Sequence, residues 1–147
     1  MKDAGLIIRT KIFERLNQTI TYNSKSVKCY DYASVSTQAY PPYIIIGNFT
    51  STEIGEGSKQ SYGQECFIDI EVITSYSNAF GGRKDSDLIA NEVMELIRTR
   101  QAGYLDLSPN WTCIGVQLDN TTNLMELNNS DMIIRKIMRF KINIYEQ

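Results

Sequence analysis

The feature that most restricts this chain is a two-residue alternation in residues 65–74, Glu-Cys-Phe-Ile-Asp-Ile-Glu-Val-Ile-Thr. Cys66, Ile68, Ile70 and Val72 fall on one side and Glu65, Asp69 and Glu71 on the other. Successive strand side chains point to opposite faces, so this segment is a strand with one face on a core. Its charged face is wet or meets a partner. The same rhythm runs from Met132 to Tyr145. Ile134, Met138, Phe140, Ile142 and Ile144 share one side, interrupted only by Lys136, and Arg135, Arg139 and Lys141 share the other. A sheet built from such strands needs an apolar layer over one face.

Two segments supply that layer. Between Ala4 and Ile20, Ala4, Ile8, Ile12 and Leu16 recur every four residues, with Ile7 and Phe13 beside them. That spacing predicts an amphipathic helix, with Asp3 placed to accept a free N–H of its first turn. A second helix is expected from about Ser86 to Arg100, with a stripe of Leu88, Ile89, Val93, Leu96 and Ile97. Asp85 or Ser86 is its expected cap, and Arg98 and Arg100 suit its negative end.

The remaining strands are shorter. Val27–Tyr32 is β-prone, Tyr43–Phe49 is a β-branched run behind Pro41-Pro42, and Trp111–Leu118 completes the set. The order is α-β-β-β-α-β-β. It predicts one α+β domain spanning 1–147, with an antiparallel or mixed sheet of about five strands and both helices on one face. Residues Thr50–Gly63 and Asp119–Asp131 are polar and read as long loops between strands. Long loops on a rigid sheet are where binding function concentrates. The first carries Glu53, Glu56 and Lys59, and the second carries Asp119, Glu126 and Asp131.

Chemistry is sparse. The chain has no histidine, which removes the commonest general base and metal ligand. Cys29, Cys66 and Cys113 are far apart and form no CxxC pair, so they read as buried free thiols in a reducing compartment rather than a zinc site. Asp69 and Glu71 could hold a metal or do acid–base work, but a solvated strand face explains them as well. Gly81-Gly82-Arg83-Lys84 precedes a helix, yet it matches neither GxGxxG nor a Walker A loop. No metal or cofactor is expected. Fifteen basic and 17 acidic residues leave no positive excess for holding nucleic acid. No apolar run is long enough to span a membrane, and no secretory signal is read at the start. The nine tyrosines suit half-exposed sheet and interface positions, although a ligand groove around Tyr40 and Tyr43 is conceivable.

Tyr40-Pro41-Pro42-Tyr43-Ile44-Ile45-Ile46-Gly47, then Thr74-Ser75-Tyr76-Ser77, then a Gly-Gly turn and the helix Asp87-Leu88-Ile89-Ala90-Asn91-Glu92-Val93 form a familiar series. The series, which extends from residue 4 to about 145, resembles the tail-completion, or tail-terminator, family of tailed bacteriophages. The resemblance implies a small α+β subunit that closes into a homo-oligomeric ring, commonly a hexamer. Such a ring caps the tail tube, meets head–neck proteins and lets DNA pass through its hole, without cofactor or catalytic residue. In a virion subunit of this kind, Glu65, Asp69 and Glu71 of one copy are expected to meet Arg135, Arg139 and Lys141 of the next, although the same charges could pair within one sheet. The two polar loops are expected to serve the lumen or the tube. A head-closure or adaptor subunit is a neighbouring reading. A small-molecule-binding domain or enzyme built on Asp69 and Glu71 is a reading of a different class.

Overall fold

Helix α1 covers Gly5–Leu16, shorter at both ends than the Ala4–Ile20 expectation. The N-cap position is Ala4 rather than the expected Asp3, but the Asp3 carboxylate, one residue earlier, accepts the Gly5 N–H at 3.0 Å. Asn17 leaves the helix with extended backbone and accepts the Cys29 N–H at 3.1 Å, which ties the helix end to the sheet. The computed structural model describes residues 3–31, 39–54, 62–77, 83–98, 105–128 and 131–147.

After α1 comes a small hairpin that the sequence reading overlooked. Strands β1 (Thr21–Tyr22) and β2 (Lys25–Ser26) pair antiparallel. Asn23 and Ser24 between them both have positive φ, the backbone of a two-residue hairpin turn that Asn tolerates well. The main sheet holds β3 (Lys28–Asp31), β4 (Tyr43–Ile54), β5 (Gly63–Ser77), β6 (Trp111–Asn128) and β7 (Asp131–Glu146). Its spatial order is β3-β4-β5-β7-β6. β3 is parallel to β4 and every other pair is antiparallel, which makes the sheet mixed.

Helix α2 spans Lys84–Ile97 between β5 and β6. It starts earlier than expected, so Asp85 and Ser86 lie inside its first turn and neither caps it by a side-chain bond. Asp85 and Asp87 still favour the positive helix end by charge. Its buried face is Ile89, Ala90, Val93 and Ile97, whereas Leu88 is exposed, one position off the true stripe. Arg15 of α1 donates to the Leu96 carbonyl at 2.9 Å and joins the two helices.

One core forms between the helix pair and the sheet. Ile8, Ile12, Leu16, Ile89 and Val93 pack with Ile44, Ile46, Ile68, Ile70, Phe140 and Ile142, all essentially buried. Burial of each such side chain contributes about 1.5–3 kcal/mol. Leu105, Leu107 and Trp111 close the core at the start of β6. Lys136, the odd residue in the apolar row of β7, reaches Asp87 of α2 at 2.6 Å. That contact explains a charge on the helix-covered side.

Where the two polar stretches are described they are mostly strand rather than loop, and residues 55–61 of the first and 129–130 of the second lie outside the described residues. β4 continues to Ile54 and pairs with β5 down to Gly63. β6 continues through 119–128 and pairs with β7 without a break from Asn120 to Asn128. Asn and Thr are tolerated there because both faces of this part of β6 are exposed and only the ladder to β7 holds it. Register shifts at Cys113/Gly115 and Leu118/Asn120 mark two bulges that reset its alternation. Those bulges hid the strand from a period-two reading.

Candidate functional site

The helices pack on one face of the sheet; no described helix covers the other, open face, although Ile45 and Ile73 on it are buried. Register places Phe67, Asp69, Glu71 and Ile73 of β5 on the open face, level with Lys141, Arg139, Ile137 and Arg135 of β7. β4 adds Ile45 opposite Glu71, and β6 adds Gln117, Asn120 and Thr122. Strict alternation on β5 and β7 produces this face, since the same residues whose neighbours fill the core must point away from it.

All six charges expected at a contact between copies therefore lie on adjacent strands of one sheet. Lys141 pairs with Glu65 at 3.3 Å, and Arg135 lies 4.0 Å from Glu71. Arg139 stacks over the Phe67 ring at 4.5 Å from its centre and reaches Asp119 at 3.7 Å. Cross-strand pairs of this kind contribute roughly 0.2–1 kcal/mol each. Burial lifts the Glu71 carboxyl above its ordinary range, and Arg135 only partly opposes that. Burial likewise lifts Asp69, with Arg139 pulling the other way. Glu71 Oε2, Arg135 Nε, Arg139 Nε and Asn143 Oδ1 are buried on this face without a protein hydrogen bond.

The other sequence-derived candidates are scattered. Glu53 is exposed near the end of β4, opposite Gln64. Glu126 stands on β6 opposite Ile133, and Asp131 opens β7 opposite Asn128, at the far end of the sheet from Glu53. Asp119 sits in the second bulge of β6 and joins the open face through Arg139. Glu56, Lys59 and the Gly81-Gly82 pair lie outside the described residues. Among the described residues, Glu53, Asp119, Glu126 and Asp131 do not converge on one site.

Tyr30 and Tyr43 meet edge to face with centroids 5.8 Å apart, on the open side beside Ile45. Tyr40 is exposed. Cys29 and Cys66 are buried free thiols, each pushed up to about 12 by burial, and Cys113 is half-buried. Among the described residues, no cluster of three or more His, Cys, Asp or Glu side chains could hold a metal, and no helix is long and apolar enough to cross a membrane.

A second surface went unread in the sequence. Leu124, Met125 and Leu127 are 45%, 59% and 67% exposed near the end of β6. Leu124 is on the open face, level with Arg135, while Met125 and Leu127 are on the opposite face, level with Ile134 and Met132. The signal was present as three large apolar residues inside a polar run, obscured by reading that run as a loop.

No family model matches this chain, and no curated protein matches it by sequence. Its fold, however, is similar over the whole of both chains to one from a solved structure described as the virion of a native gene transfer agent particle, with a TM-score of 0.67 and 15% sequence identity.

Proposed function

We propose that this chain is a structural subunit of a phage-like particle, a tail terminator or tail-completion subunit that forms a ring at the neck. The observation that carries the reading is the full-length likeness of its fold to a chain of a gene transfer agent virion. The tail-completion resemblance in Tyr40–Gly47 and Asp87–Val93 points the same way. In this role the partners are further copies of the chain, tail-tube proteins and head–neck proteins, and DNA crosses the ring without being held. No catalytic step or cofactor enters.

The open sheet face suits that role. Glu65, Asp69 and Glu71 are balanced by Arg135, Arg139 and Lys141 within one subunit. Such a surface offers DNA no net positive charge, so few counterions are released on contact and phosphate is not retained. We assign this face, rather than a loop cluster, to the lumen side, and leave contacts between copies to other surfaces.

The test is removal of the gene from the producing particle, followed by electron microscopy. The reading expects tails of uncontrolled length, or tails without heads, restored by the intact gene. Normal particles in the absence of the protein refute the role. Light scattering on the purified protein adds a second check, since a closed oligomer is expected.

A further inference from the structure

We infer that the free outer edge of β6 pairs with the free outer edge of β4 in a neighbouring copy, joining the sheets of adjacent subunits into one. The inference rests on the ring reading above and specifies its contact.

An unpaired strand edge presents a row of N–H and C=O groups that templates another strand. Monomeric proteins blunt such edges with Lys, Pro, short strands or bulges. β6 is 18 residues long and contains neither Lys, Arg nor Pro. Its two bulges lie before Asn120, which leaves 120–128 regular. Among the described residues nothing pairs with its outer side. Leu124, Met125 and Leu127 stand exposed along this stretch.

Among the described residues the same sheet offers a second unpaired edge: β3 pairs with β4 from Tyr43 to Ile46, and Phe49–Ile54 extends beyond that pairing. Thr50 to Ile54 are exposed. β4 and β6 run antiparallel to each other within the sheet, because three antiparallel steps separate them. A neighbour in the same orientation therefore brings its β4 against β6 as an antiparallel pair. Each copy then uses one edge of each kind, which is a heterologous contact that repeats and can close. A β6-to-β6 contact would stop at two copies and leave every β4 edge bare.

The register supports one alignment. Thr52 opposite Thr122 puts both side chains on the open face, since Thr52 is level with Glu65 and Thr122 with Ile137. Phe49 then faces Met125 on the helix side, and Thr50 faces Leu124. Glu53 falls opposite Thr121 and Glu126 opposite Asn48, so no acids confront each other. Thr52 is level with Asn143 of β7 and Thr122 with Ile137. That difference of six residues along β7 is an offset of about 20 Å, set against about 19 Å for the four strands of one repeat. In a ring, such an offset is absorbed by tilting the strands about 45° to the axis, at the upper end of the tilt of closed barrels.

The test uses cysteines at those two positions in a Cys113→Ser background. Thr52→Cys and Thr122→Cys proteins are oxidised mildly, alone and mixed, and run on non-reducing gels. The mixture should give a covalent dimer that neither protein gives alone, and the double variant in one chain should give a ladder ending at the ring size. Leu124→Lys with Leu127→Lys should reduce the mass by light scattering to that of one 16.8 kDa chain, with circular dichroism unchanged. A dimer from Thr122→Cys alone overturns the assignment in favour of a symmetric β6 contact. A closed oligomer that shows no cross-link and survives the Lys pair overturns this contact while sparing the ring. A wild-type monomer at high concentration overturns both.

Discussion

Arg135 and Glu71 give an unequal pair of substitutions. Their charged atoms are 4.0 Å apart, which at an effective dielectric of about 20 is a gross attraction of about 4 kcal/mol. The Glu71 side chain is only 12% exposed, however, and burial raises its carboxyl despite Arg135. The desolvation cost of the carboxylate thus exceeds what the guanidinium returns. Replacing Glu71 by Gln removes the costly charge together with the attraction, and stability should change by less than about 0.5 kcal/mol or rise. Replacing Arg135 by Met keeps the stem but strands a carboxylate. Breaking a fully buried pair costs about 3–5 kcal/mol, but Arg135 is 35% exposed and solvent screens the pair, which brings the expectation to about 1–2 kcal/mol. For a chain of this size that is a fall of about 3–6 °C in Tm. The sign with pH follows from the raised carboxyl. The folded state keeps the Glu71 proton to higher pH than the unfolded chain, so ionised Glu71 detracts from stability above its folded pKa. The Arg135→Met deficit should be full near pH 8 and shrink as pH falls through that pKa, because a neutral acid needs no guanidinium. Urea unfolding at two protein concentrations, from pH 8 to pH 4.5, measures this. If Glu71→Gln costs as much as Arg135→Met at pH 8, the attraction dominates and the reasoning is wrong.

Three further outcomes follow from the packing. Ile68→Ala, at a fully buried core site, should cost about 2–5 kcal/mol in denaturant unfolding, while Thr122→Ala should cost under about 1 kcal/mol. A Cβ on Gly63 comes within 2.8 Å of the Tyr145 ring, so Gly63→Ala should destabilise by about 1–3 kcal/mol and the penalty should largely vanish in a Tyr145→Ala background; additive effects would falsify the clash. Cys29 and Cys66 should resist thiol reagents in the folded protein, with Cys113 reacting first and all three reacting together in denaturant; fast labelling of Cys66 in the folded state contradicts its burial.

Local pattern alone determined the layers of this protein. Where burial repeats at a fixed period, as in Cys66-Ile68-Ile70-Val72 or Ile8-Ile12-Leu16, one face must meet a core and the element type follows from the period. The α+β class, both helices, the two long central strands and the division of β5 and β7 into an apolar and a charged face were all legible on that basis. Tertiary structure decided what periodicity does not encode. It set the order β3-β4-β5-β7-β6, which brings the acids of β5 beside the bases of β7 and neutralises them within one chain. It also drew the Asn- and Thr-rich residues 120–128 into a strand, because the ladder to β7 supplies hydrogen bonds that no local preference announces. The bulges at Ile114 and Asp119 shifted the alternation of β6 and made its sequence resemble a loop. A strand edge and its exposed Leu124, Met125 and Leu127 exist only once neighbours are assigned, and pairing between segments distant in sequence depends on the whole chain rather than on any window of it.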